Sequence, residues 1–301
     1  MALDALSPVT AAEITTLTVV RQRIRQTAKL ARKKPLGALG AGVLILLVLA
    51  AVFADIVTPY SPLEHSPERL VGPSWEHLAG TDQFGRDTLS RVVHGARTSL
   101  YVGVVATVLS MVPAVLLGIS SAFFGSWYDY VIQRVVDTIQ ALPGLILLIT
   151  ILVILGPGLW NVIIALSFSR AIVGSRVIRG ATMAIKSEVY VEAARASGAT
   201  NLRIILRHLL PNIVPTIIVV YSLGFGAVIL AEASLSFLGY GVPPPTPSWG
   251  GMMAADGRAY MFAAPWMLWA PTIALGVVIF SVNMFGDAIR DLLDPRLRGS
   301  R

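Results

Sequence analysis

The chain has 301 residues, of which 55% are hydrophobic and only 14% charged, with a formal net charge of +7. That balance excludes an ordinary soluble domain, and the absence of cysteine excludes a disulfide framework or a thiolate metal site. The Lys and Arg residues cluster beside apolar runs rather than on a polar domain, so they read as membrane-orientation signals and not as a nucleic-acid surface.

Taken in chain order, residues 1–35 form a basic segment with Arg21, Arg23, Arg25, Lys29, Arg32, Lys33 and Lys34. The apolar run 36–57 that follows is too long for a signal peptide and lacks a cleavage pattern. It predicts an uncleaved first span with the N-terminus in the cytoplasm. Residues 58–97 make a long outer loop of mixed charge. Within it Asp82, Arg86, Asp87 and Arg91 are spaced three to five residues apart. If helical, they form either a self-paired charged face at the membrane surface or a contact for an external partner.

Five further spans are predicted at 98–124, 131–155, 159–177, 213–238 and 266–285, each of the length a bilayer core requires. A cytoplasmic tail, 286–301, completes an all-α membrane protein with both termini inside. The second span repeats Ala106, Ser110, Ala114, Gly118 and Ala122 at every fourth position, a small-residue stripe against which another helix can pack. Pro113 and Pro215 are expected to kink their helices. Arg170 lies in the fourth span, where an ionisable group is costly and is expected to point into the bundle, towards a translocation path. Glu232, near the outer end of the fifth span, is a second candidate for that path, against the plainer reading of a structural helix-end carboxylate. Pro243, Pro244, Pro245 and Pro247 predict an extended, stiff outer lip that Trp249 anchors at the membrane interface. Contact of this lip with a partner and mere bracing of the helix ends both stand.

The segment 186–211, KSEVYVEAARASGATNLRIILRHLLP, is too polar to span and too patterned for a linker. It predicts two short helices, with Ser187 capping the first, Gly198 ending it, Thr200 or Asn201 capping the second, and Pro211 at the re-entry into the membrane. Tyr190, Ala193, Ala194 and Ser197 then share one shallow face, better suited to docking in a partner's groove than to lying on lipid.

Glu192, Ala193, Ala194, Gly198, Leu210 and Pro211 carry the spacing of the EAA motif, and the chain resembles the permeases of bacterial binding-protein-dependent ABC importers. His208 departs from the general motif, which prefers Ile there. GTDQFGRDTLSRVVHGARTSL at 80–100, EASLSFLGYGVPPPTPSWG at 232–250 and GDAIRDLLDPRLR at 286–298 are similar to the dipeptide, oligopeptide and nickel branch. The resemblance implies a type I (MetI-like) five-span core, 98–285, plus one N-terminal helix, in the bacterial inner membrane. It implies a coupling helix at Tyr190, Glu192, Ala193, Ala194, Ser197 and Gly198. The implied partners are a second homologous permease, one or two ATPase subunits that carry ATP and Mg, and an extracytoplasmic binding protein. Asp82, Arg86, Pro244 and Trp249, read above as either partner contacts or structural braces, are the candidate contacts for that protein. Peptides lead as cargo, with nickel chelates and glutathione open.

The residues agree that energy comes from elsewhere. No Lys follows a glycine loop of the GxxxxGK[ST] kind, so no P-loop is expected. His65, His77, His94 and His208 lack the pairing of a zinc helix, and there is no GxSxG elbow. No catalytic residue, metal site or cofactor is expected on this chain. A passive channel is the main alternative and a membrane enzyme the second; they require charge rings or a reactive cluster, respectively.

Overall fold

The computed structural model describes residues 34–293. The expected basic stretch before Lys34 and the tail arginines Arg296, Arg298 and Arg301 lie outside those residues. Within them the chain is helical, with an isolated Thr81–Asp87 bridge in the outer loop. Five helices are long and apolar enough to cross a bilayer, and a pair bent at 91° passes the same test only when its two halves are taken together.

The first span is α1 (Pro35–Val52), with proline in its first turn, where the missing N–H costs nothing. It packs on the last helix rather than standing apart. A Cβ at Gly37 would lie 2.2 Å from Ala288 Cβ, and one at Gly40 would lie 2.6 Å from the Ser281 carbonyl, so two glycines permit the close backbone approach that holds helices together in lipid. Lys34 Nζ donates to Asp291 at 2.5 Å and closes that end. A short turn, α2 (Ala54–Val57), leads into the outer loop.

The second span, α3 (Thr88–Phe124), begins at Thr88 rather than Thr98 because Asp87 caps it, accepting the Ser90 N–H at 2.7 Å. The third span is broken into α4 (Ser126–Gln140) and α5 (Gly144–Leu155), which meet at 91°. Pro143 disfavours helical geometry at the residue before it, so the sharp bend falls there. Pro113 lies inside continuous α3. The fourth span, α6 (Leu159–Lys186), runs on past the expected Val177 to Lys186.

After α7 (Val189–Ala196), α8 (Asn201–Ile204), a π turn (Ile205–Leu209) and α9 (Leu210–Phe237) form one uninterrupted helical stretch. The second short helix expected in the cytoplasm is therefore the start of the fifth span. The π turn sits immediately before Leu210 and Pro211, and such a turn lets a helix absorb a residue that has no N–H to donate. Pro215 lies within α9. Two short helices, α10 (Trp249–Met253) and α11 (Ala255–Ala259), precede the last span, α12 (Trp266–Leu293).

The small-residue stripe of α3 is the main internal seam. Ala106, Ser110, Ala114, Gly118 and Ala122 are all buried. A Cβ on Gly118 would meet the Ser175 carbonyl at 2.7 Å, and Ser167 Oγ of α6 donates to the Ala106 carbonyl at 3.2 Å. Tyr221 of α9 donates to the Ser110 carbonyl at 3.2 Å, so three helices meet along this line.

Candidate functional site: an exposed knob and the residues that anchor it

Helix α7 projects from the bundle on a single apolar root. Val191 is 1% exposed and packs with Phe123, Ile204 and Leu209, which come from the end of α3 and the start of the fifth span. Lys186 fixes the preceding helix end, donating to the carbonyls of Ala122 at 3.0 Å and Phe123 at 2.8 Å, where the negative end of the α3 dipole favours a cation. The root of α7 thus sits where the ends of α3 and α6 meet the start of the fifth span.

The other side of α7 is open. Glu192, Ala193, Ser197 and Gly198 are exposed, Ala194 is half-buried, and Tyr190 keeps part of its ring in the open beside His208. Burial, and then the neighbouring Glu188 carboxylate, push the Tyr190 hydroxyl above its ordinary value, so it stays a neutral donor. Gly198 ends the helix at φ +80. Its N–H reaches the Arg195 carbonyl at 3.0 Å and that of Ala199 reaches Ala194 at 3.1 Å, the paired closure of a Schellman cap. Thr200 caps the next turn, accepting from the Arg203 N–H at 3.4 Å. Ser187 does not cap α7: its hydroxyl donates back to Ala184 at 3.0 Å, and Glu188 occupies the cap position without a side-chain bond.

Arg170 turns inward, as an ionisable group in a span must, but its partner is backbone rather than carboxylate. Its Nη2 donates to the Val220 carbonyl at 2.6 Å and its guanidinium lies 5.5 Å from the Tyr221 ring. Gly224 makes the room, since a Cβ there would overlap the guanidinium. Glu232 is 0% exposed. One carboxyl oxygen accepts from Ser236 at 2.8 Å, and the other has no hydrogen-bond partner.

The outer candidates are knotted into the fold. Asp82 lies in a turn, not a helix, and accepts the N–H groups of Phe84 at 2.8 Å and Arg86 at 2.9 Å as well as Arg86 Nε at 2.6 Å. Asp87 is buried by its capping duty and by His77 at 2.9 Å. Asp82 pairs with Arg86 and lies 3.6 Å from Arg91 Nε, but only Arg91 is helical, in the first turn of α3, while Asp82 and Arg86 lie in the loop before it. Trp249 is not an interfacial anchor: it is fully buried, donating from Nε1 to the Val92 carbonyl at 3.0 Å while its backbone N–H reaches Ser99 Oγ at 3.3 Å. A Cβ on Gly250 would lie 2.3 Å from the Ala233 carbonyl, so residues 249–250 wedge tightly between α3 and α9. The proline run turns at 244–245 instead of continuing extended, and Pro244 borders a cleft of about 490 Å³ with Arg86 and Phe84.

Sequence reasoning missed Lys186 as the bolt, Val191 as the root, and the polar contacts between α4 and α6. Asp129 binds Arg179 Nε at 2.6 Å, and Asp137 faces Arg176 at 3.3 Å. Asp129, Gln133 and Asp137 recur at four-residue spacing, a signal blurred by the apolar run of α5 that completes the same span.

A polytopic helical bundle with a small exposed knob at one end defines a multi-span, all-α membrane protein. The model of the family described as "Binding-protein-dependent transport system inner membrane component" matches residues 114–299, and that of the "N-terminal TM domain of oligopeptide transport permease C" matches residues 24–73. The chain belongs to the first family. It is similar to the dipeptide transport system permease protein DppC of Alkalihalophilus pseudofirmus, 40% identical over 275 residues, covering 91% of this chain and 90% of that one. It is also similar to the glutathione transport system permease protein GsiD of Escherichia coli, 38% identical over 270 residues and 89% of each chain. Among solved structures, the MetNI methionine ABC transporter in inward-facing conformations shares the fold, with a TM-score of 0.57 and 20% identity over 68% of this chain and 96% of that one.

Proposed function

We propose that this chain is one of two permease subunits of an ATP-driven importer in the bacterial inner membrane, moving peptides or similar small solutes inward by alternating access. ATP and Mg are held on separate ATPase subunits, which seat the exposed face of α7 in a surface groove. A binding protein delivers cargo at the outer loops, and both termini are cytoplasmic. The observation that carries this reading is the construction of α7: an exposed face of Tyr190, Glu192, Ala193 and Ser197 rooted by Val191 into the junction of three membrane helices. A knob so anchored converts a push into rigid-body rotation of helices, the form of motion that switches a cavity between two openings. The curated relatives named for dipeptide and glutathione transport favour small peptides as cargo.

Affinity capture of the full complex tests the reading. A P-loop ATPase is expected to co-purify with the wild-type chain, and Glu192→Arg with Ala193→Arg is expected to abolish capture while the permease still inserts. Efficient uptake by a permease that captures no ATPase points to the passive-channel alternative.

A further inference from the structure

We propose that Asp137 and Gln140 of α4, with Arg176 of α6, line the inner half of the translocation path and hold the charged ends of a zwitterionic peptide in transit. The proposal rests on the importer reading above and names a site within it.

Four observations meet here. Arg176 Nη1 lies 3.3 Å from Asp137 Oδ1 and donates to Gln140 Oε1 at 3.0 Å, while Gln140 Nε2 donates to the Ile172 carbonyl at 3.3 Å. The ion pair is half-open, with side-chain exposures of 51% for Arg176 and 43% for Asp137. Val173 and Val177, which flank Arg176 on α6, are exposed apolar residues. Arg176 stands about 15 Å along α6 from Lys186, by the helical rise, and so lies above the cytosolic end that Lys186 bolts down. Exposed charges at this depth are costly against hydrocarbon and belong to an aqueous or partner-lined surface.

The neighbouring pair shows what a structural bridge looks like in this protein. Asp129 and Arg179 make two short bonds, at 2.6 and 2.5 Å, and expose only 19% and 27% of their side chains. Asp137 and Arg176 make one long contact and remain open. An ion pair of that kind is electrically balanced, and a peptide zwitterion, also neutral overall, can replace each internal partner in turn: its carboxylate on the guanidinium, its ammonium on Asp137. The charged pathway residues expected from sequence, Arg170 and Glu232, are occupied by backbone and enclosed in the core, respectively.

The chain contains no cysteine, which permits a clean test in the assembled transporter in proteoliposomes. Thr138→Cys, at an exposed neighbour on α4, is treated with a charged, water-soluble thiol reagent, with and without a delivered dipeptide. Reaction that blocks uptake and is slowed by the peptide is the expected result. No reaction, or reaction the peptide does not slow, overturns the assignment while wild-type uptake and ATPase capture leave the importer reading intact. In parallel, Arg176→Gln and Asp137→Asn are expected to raise the half-saturating concentration of liganded binding protein about tenfold, the scale of one charged hydrogen bond, with ATPase capture unchanged and Arg176→Lys partly restoring uptake. Equal loss of capture and uptake assigns the pair a structural role and overturns the proposal. If the wild type neither captures an ATPase nor imports peptide, the underlying reading fails first.

Discussion

Gly198 is the residue on which the shape of the knob turns. Its φ of +80 costs an L-residue about 1–2 kcal/mol, although a Cβ there would meet open space. Gly198→Val is therefore expected to fray α7 and weaken ATPase capture, whereas Gly198→Asn, which tolerates the left-handed region, retains most of it; equal capture by both variants would show that the cap is dispensable. Arg170 is governed by a contact of another kind. Arg170→Ala removes the charged bond to the Val220 carbonyl, worth about 1.5–3 kcal/mol, and is expected to slow uptake without loss of assembly; unchanged uptake kinetics contradict this. Gly224→Ala, which drives a methyl into the guanidinium, is expected to lower the melting temperature, and the double variant Arg170→Ala with Gly224→Ala to recover part of the loss.

At the scale of elements, the α3 seam holds the bundle. Gly118→Leu forces a side chain against the Ser175 carbonyl and Ile178, and overpacking of this kind costs about 1–3 kcal/mol or more. Detergent-solubilised protein is expected to lose its sharp thermal transition, while Gly276→Ala, which meets nothing within 4 Å, leaves it unchanged. That seam was legible from sequence, because every-fourth-residue spacing is a property of one helix and needs no knowledge of its partner. The broken third span was not: hydropathy averages over a window, and the apolar run Gly144–Leu155 concealed the polar helix before it. Trp249 failed for a different reason. An aromatic after a proline run looks interfacial, and only the close approach allowed by Gly95 and Gly250 reveals that the chain folds back and buries it. Gly198 and the Thr200 cap were readable because capping is local chemistry, whereas Lys186 and Val191 act through helices distant in sequence.

The whole molecule is a helical body of membrane-spanning length whose helices meet at the root of one exposed handle. The first span adds to that body through Gly37, Gly40 and the Lys34–Asp291 pair, and through Arg97 of α3, which donates to the Ala51 and Val52 carbonyls. The claim on which the rest depends is that α7 lies on the side where nucleotide is hydrolysed and is covered by the subunit that hydrolyses it. Ser197→Cys, in a chain otherwise free of cysteine, measures this directly through its reaction with a membrane-impermeant thiol reagent. Labelling is expected only in inside-out vesicles stripped of the ATPase, with protection when the ATPase is restored; labelling in intact spheroplasts would contradict the account.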